Sequence, residues 1–253
     1  MSTAEQVLCY IDVGGTFTDA FLVDDRGDFV IGKAPTTPDD ISQGFFSAIE
    51  EALDSAGLDH EKAFSELRIA GYGSTTVLNA LLTRRGDRVG LLTTAGFEDL
   101  LLIERAKQTW TEYDRTDRIH AITHRHLDPL VPKSRIRGVT ERIDGRGEVV
   151  VPMYEHDVEQ AVEDMLDEGV DGIAICFLWS FLNDEHERRA AEIARKVIER
   201  RGADCRLALS VDINPVMREL PRTNATLIEA YTSRLAHSAF SSIEDQLGER
   251  NFQ

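Results

Sequence analysis

The stretch Asp12-Val13-Gly14-Gly15-Thr16-Phe17-Thr18-Asp19 constrains this chain more than any other. It lies between two apolar runs of strand type, residues 7–13 and 17–23, and its paired glycines predict a tight turn between them. Glycine has no side chain, so such a turn lets backbone N–H groups come close to phosphate oxygens. Thr16 and Thr18 add hydroxyl donors. Asp12 and Asp19 would repel phosphate directly, so a divalent cation is expected between them, with Asp12 as its protein ligand. A plain β-turn behind an aspartate is the alternative reading. The full run of glycines, threonines and aspartates between strands favours a phosphate site. The chain lacks a P-loop, which needs Gly-Lys-Ser or Gly-Lys-Thr opening a helix, and it lacks GxGxxG.

The rest of the pattern alternates helix and strand. A third short strand over 29–33 completes an antiparallel meander. Asp39 or Asp40 caps a helix with Ile41, Phe45, Ala48, Ile49 and Leu53 on one face, and Gly57 ends it. Residues 67–71 read as strand, 75–85 as helix stopped at Gly86, 89–92 as strand and 96–102 as a short helix. A second unit opens near Ile136, with a hairpin of 137–143 and 148–151 around Asp144-Gly145-Arg146-Gly147. Helix 157–168, strand 172–178, helix 184–201 and strand 207–211 follow. This alternation predicts an α/β layered fold with a mixed sheet and a second α/β unit. From Arg222 the pattern is helical to about Leu247, with Leu227, Ile228, Tyr231, Leu235 and Ala239 along one side. No strand follows to receive that helix, so the simplest reading is a truncated domain, or a subunit completed by another chain.

Composition excludes several classes. Asp and Glu number 45 against 28 Lys and Arg, a net charge of −17, which makes nucleic acid a poor partner. Only five of the basic residues are lysines (Lys33, Lys62, Lys107, Lys133, Lys196), a bias that suggests a salty, halophile-like cytoplasm. No apolar run is long enough to span a membrane and no basic-flanked leader opens the chain, so a cytoplasmic location is expected. Cys9, Cys176 and Cys205 form no CxxC pair and read as reduced thiols.

Three further clusters carry candidate chemistry. Gly73-Ser74-Thr75-Thr76 precedes a predicted helix, where an anion would meet free N–H groups; ordinary capping by Ser74 or Thr75 is the equal alternative. Asn79, one turn on, either points to the same place or packs. His120, His124 and His126 fit no single regular element as a metal set, and surface or hydrogen-bonded histidines are the favoured reading. Arg222 either holds a phosphate or carboxylate or pairs with Glu219.

Several segments resemble one known family. Residues 11–25, IDVGGTFTDAFLVDD, resemble the first phosphate motif of the actin-like ATPase superfamily, in the form found in the hydantoinase A and 5-oxoprolinase branch. GSTTVLNALLTRRG (73–86), GLLTTAGFEDLLLIERA (90–106), RGVTERIDGRGEVVVPM (137–153) and ELPRTNATLIEAY (219–231) resemble later landmarks. GKAPTTP (32–38) and YDRTDRIHAITHRHLDPLVP (113–132) look most like acetone-carboxylase-type subunits. The family's common histidine before Gly-Thr-Thr is absent, since Tyr72 and Gly73 precede Ser74. The resemblance implies an actin-like (ribonuclease-H-like) lobe, with residues 1–200 as the N-terminal domain and 201–253 as the start of the next. It implies ATP and Mg²⁺ as cofactors, an oligomer with a hydantoinase B-type partner, and phosphorylation of a carbonyl, enolate or bicarbonate oxygen. Two rival readings are a small-molecule kinase of the same fold, which would need an aspartate base, and a non-catalytic nucleotide-binding assembly subunit.

Overall fold

The computed structural model describes residues 7–37, 40–103, 114–116, 119 and 128–250. The chain forms two compact units, one from residues 1–85 and 232–253, the other from 86–231.

The first unit is built on the strands β1 (Val7–Val13), β2 (Phe17–Asp24), β3 (Phe29–Pro35) and β4 (Leu67–Ser74), in the order β3-β2-β1-β4. The expected meander is present, with β1–β2 and β2–β3 antiparallel; β4 adds to β1 in parallel and makes the sheet mixed. β1 buries every second residue, so Cys9, Ile11 and Val13 face the core and Leu8, Tyr10 and Asp12 face outward. The helix α1 (Ile41–Ala56) covers the buried face through Phe45, Ile49 and Leu53. Asp40 caps it by accepting from Ser42 N, and Gly57 ends it in the left-handed region, both as the sequence predicts. Gly32 is required by close approach, because a Cβ there would sit 2.0 Å from the Ala48 carbonyl of α1. The helices α2 (His60–Glu66) and α3 (Thr76–Thr83) complete the described part up to residue 85.

The second unit holds a wholly parallel sheet. Its strands are β5 (Val89–Thr94), β6 (Ile136–Val139), β9 (Gly172–Cys176) and β10 (Arg206–Leu209), in the order β10-β9-β5-β6. β5 and β9 are buried at every residue, as a parallel sheet covered on both faces requires. Between them in sequence come the short helix α4 (Leu100–Ile103), the hairpin β7 (Arg142–Ile143) and β8 (Val149–Val151), and the helix α5 (Glu155–Asp167). α6 (Glu185–Arg201) and α7 (Ser210–Ile213) flank β10, and α8 (Glu219–Glu249) follows. α5 and α6 pack their Val158, Val162, Ala190 and Ala194 against β5 and β9.

The elements depart from the sequence reading chiefly in four places. β4 runs on to Ser74. α3 ends at Arg84, whose backbone is left-handed at φ 56°, rather than at Gly86. Gly86 serves a packing role instead, since a Cβ there would come within 2.1 Å of the Tyr231 ring. The predicted first hairpin strand, 137–143, divides: its start belongs to β6, parallel to β5, and only Arg142–Ile143 pairs with β8. The side of α8 expected to need a partner is split as well. Leu227 and Tyr231 are buried within the second unit, whereas Ile228 and Leu235 remain 37% and 36% exposed.

Candidate functional site

Parallel pairing of β1 with β4 is what assembles the candidate site. It sets Asp12 opposite Gly73 and Val13 opposite Ser74, so the two glycine–threonine stretches reach the same edge of the first sheet. The Thr75 amide then donates to Val13 O at 3.1 Å. Asn79, the open case from the sequence, turns toward the glycine turn: a Cβ on Gly15 would meet its Nδ2 at 3.0 Å. That amide nitrogen also donates to Thr75 Oγ1 at 3.2 Å.

The turn itself is braced from within. Gly14 N donates to Phe17 O (2.9 Å) and closes it. Thr36 holds it from the side: its amide donates to Thr16 O, and its hydroxyl donates to Gly14 O, each at 2.9 Å. Thr18 is fully buried and its hydroxyl lies 3.1 Å from Thr36 Oγ1. Thr18 therefore stands under the turn, while Gly15 and Thr16 are exposed. The bracing role of Thr36 has no signal in the spacing of the glycine motif; the only hint is its place in the GKAPTTP stretch.

Asp12 is exposed and its carboxylate lies over Gly73, where a Cβ would come within 3.3 Å of Oδ1. Asp19, its registered neighbour across the β1–β2 ladder, is engaged by Lys33 Nζ at 2.6 Å, and Lys33 also sits 4.9 Å over the Phe17 ring. That ammonium offsets the charge with which Asp19 would oppose an anion. A pocket of about 520 Å³ adjoins both carboxylates and is walled by Tyr10, Phe21, Tyr72 and Gly73. Burial pushes the Tyr72 phenol up, against a hydrogen bond with Ser74 that lowers it.

In the second stretch the bond that is present belongs to the capping reading. Ser74 Oγ accepts from Thr76 N at 3.2 Å, which is ordinary capping, whereas Thr75 makes no side-chain cap bond. His120, His124 and His126 lie outside the described residues, and among the described residues no group of three or more His, Cys, Asp and Glu is placed to hold a metal. Among the described residues, too, no helix is long and apolar enough to cross a membrane.

The fold is thus an α/β protein with a mixed sheet whose edge joins two glycine–threonine stretches. The chain belongs to the hydantoinase/oxoprolinase family, whose N-terminal region profile matches residues 8–198. The acetone carboxylase beta subunit of Xanthobacter autotrophicus is 38% identical over 240 residues, covering 95% of this chain and 34% of that subunit. A nucleotide-free structure of acetone carboxylase superposes with a TM-score of 0.91 at 38% identity, over 97% of this chain and 35% of that one. The ATP-dependent caprolactamase from Pseudomonas jessenii superposes with a TM-score of 0.84 at 30% identity, over 97% of this chain and 34% of its own. The chain spans about a third of the length of these relatives.

Proposed function

We propose that this chain supplies the first phosphate-binding turn of an ATP-dependent enzyme subunit that phosphorylates an oxygen of a small-molecule substrate. That oxygen is an amide carbonyl in a ring-opening hydrolase, or bicarbonate or an enolate in a carboxylase. The observation that carries this reading is the β1–β4 register, which brings the Gly14-Gly15-Thr16 turn and the Ser74–Thr76 stretch to one edge. Two structural relatives are an acetone carboxylase whose acetone carboxylation is ATP-dependent and an ATP-dependent caprolactamase, and this supports ATP here. The relatives that are subunits support an oligomer, and the family resemblance supports a hydantoinase B-type partner. A family match ending at residue 198 supports 1–200 as one domain and 201–253 as the start of another.

Each residue has a separate task. The Gly14 amide and the Thr18 hydroxyl fix the turn, which leaves the Gly15 and Thr16 amides and the Thr16 hydroxyl to meet phosphate oxygens. Asn79 holds Thr75 beside them. The donor set fits Mg²⁺, which is commonly held by about one or two carboxylates together with substrate phosphates and water; Asp12 is the exposed carboxylate in position to do so. Bound there, Mg²⁺ would neutralise charge on the phosphates. Lys33 keeps Asp19 from opposing the same charge.

In the assembled enzyme, Asp12→Asn or Thr16→Val is expected to lower ATP-dependent phosphate release at least tenfold, about 1.4 kcal/mol, with the melting temperature unchanged. Unchanged release in a folded variant would remove the turn from the mechanism. Assaying release with cyclic amides and with ketones plus bicarbonate, with and without the partner, separates hydrolase from carboxylase. A kinase would release ADP without net phosphate, and an assembly subunit would release neither.

A further inference from the structure

The parallel sheet of the second unit has a reversal point. From β5 the chain goes to β6 on one side, then returns to β9 on the other side of β5 and continues to β10. In open parallel sheets the crevice beyond the carboxyl ends of the strands at such a reversal is where ligands bind. A pocket of about 420 Å³ is lined by the segments that follow all four strands: Phe97 after β5, Arg142 after β6, Trp179 and Phe181 after β9, and Arg218 and Arg222 after β10.

Three guanidinium groups line this pocket in a chain of net charge −17, and Glu219 is the one carboxylate among its described lining residues. Arg222 is only 1% exposed. One terminal nitrogen donates to Phe177 O and the other to Val216 O (3.4 Å), and its Nε finds no partner among the described residues. A buried N–H on a charged group is costly to leave without an acceptor. The guanidinium is also fixed over the Phe181 ring at 5.4 Å, and that of Arg142 lies 5.5 Å from the Phe97 ring. Trp179 and Phe181 stand 5.7 Å apart as a second aromatic wall. Trp179 and Arg218 both hold left-handed backbone, at φ 61° and 85°, which a residue with a Cβ keeps only where its surroundings impose it.

We infer that this pocket binds the carboxylate of a small organic acid. Guanidinium groups recognise carboxylates through paired charge-assisted hydrogen bonds, and the orphaned Arg222 Nε needs such an acceptor. The rings of Phe97, Trp179 and Phe181 call for an apolar or flat body on the acid, which inorganic phosphate does not have. The inference is independent of the phosphate turn proposed for the first unit.

Benzoate, its neutral isostere benzamide and inorganic phosphate are suitable probes. The test uses the full chain carrying Trp110→Phe, which leaves Trp179 as its one tryptophan. Benzoate is expected to bind saturably by calorimetry and to change Trp179 fluorescence, with benzamide and phosphate each weaker by roughly tenfold or more. Arg222→Gln could disturb the fold through its carbonyl contacts, so Arg142→Gln and Arg218→Gln are the deciding variants. Each should weaken benzoate roughly fivefold or more while leaving the melting temperature in place. The inference is overturned if benzoate does not bind at millimolar concentration or if benzamide matches it. It is equally overturned if both deciding variants bind benzoate like wild type, or if phosphate displaces benzoate at equal concentration.

Discussion

In the first unit, β1 alternates buried and exposed residues along its whole length, and Tyr10 and Asp12 stand on the open side. In the second, β5 and β9 bury every residue. The two sheets therefore handle polar groups by different means. The open face leaves Asp12 to solvent and pairs Asp19 with Lys33 at the surface. The unit around the closed sheet must satisfy its buried polar side chains internally. Glu187, fully buried, accepts from Phe177 N (2.8 Å), Ser210 Oγ (2.6 Å) and Val211 N (3.2 Å). Glu141, buried in the same unit, joins Thr94 to His186 Nδ1, the latter at 2.7 Å. Changes at the open sheet should thus register in ligand binding, and changes within the closed one in stability.

The sharpest test of that division is Gly15→Val. Its side chain would press on Asn79 and occupy the mouth of the turn, so nucleotide-dependent turnover of the assembled enzyme should fall by about 10²–10³-fold, the cost of losing a preorganised donor. A melting curve should show little change; a collapse of the fold would mean that the turn is structural after all. Next in size is Glu187→Ala. It strands two buried donors and one half-buried one, and stability measured by denaturant unfolding should drop by about 3 kcal/mol.

The same carboxyl has a pH signature. Burial raises the Glu187 pKa above its ordinary 4.5, so the folded chain holds this proton more tightly than the unfolded one. Its contribution is fully present below about pH 4.5 and is lost as the pH climbs toward the folded value. Unfolding titrations of Glu187→Gln should lack that downward slope; an identical slope in both proteins would assign it to another group. The smallest effect is expected at a site of local structure. Asp40→Ala removes the cap of α1 and should cost about 1 kcal/mol by thermal or denaturant unfolding. Bonds from Ser42, Gln43 and Ser242 hold the Asp40 carboxyl below its usual range, so in wild type this contribution disappears only under more acidic conditions.

Local signals carried far into this structure. The α1 cap and its Gly57 stop, the meander and the alternation of helix and strand were legible because each depends on neighbours in sequence. What depends on distant partners was not. Residues 137–143, set before the Asp144-Gly145-Arg146-Gly147 turn, read as one hairpin strand, yet pairing with β5 claims 136–139. Gly86 looks like a helix stop, but its reason is the Tyr231 ring, far along the chain. At the candidate site, the Asp12 to Asp19 motif was plain, whereas the division of labour within it was hidden. Nothing in the motif distinguishes exposed Thr16 from buried Thr18, because that depends on Thr36. The carboxylate-binding pocket was less legible still, since its lining comes from after four strands and only their order unites it.

The Thr36 strut also sets what a protein engineer would have to transplant. The eight residues from Asp12 to Asp19 would not hold their shape as a loop grafted onto a foreign hairpin, because two of the bonds that close the turn come from a residue 22 positions beyond Gly14. The smallest portable piece is three strands long, β1 through the Thr36 that follows β3, together with the α1 helix that covers their buried face. By the same logic, the natural variation that such a scaffold tolerates should be sought in loop 25–28, the far end of the meander, where length can change without moving Thr36 relative to the glycines.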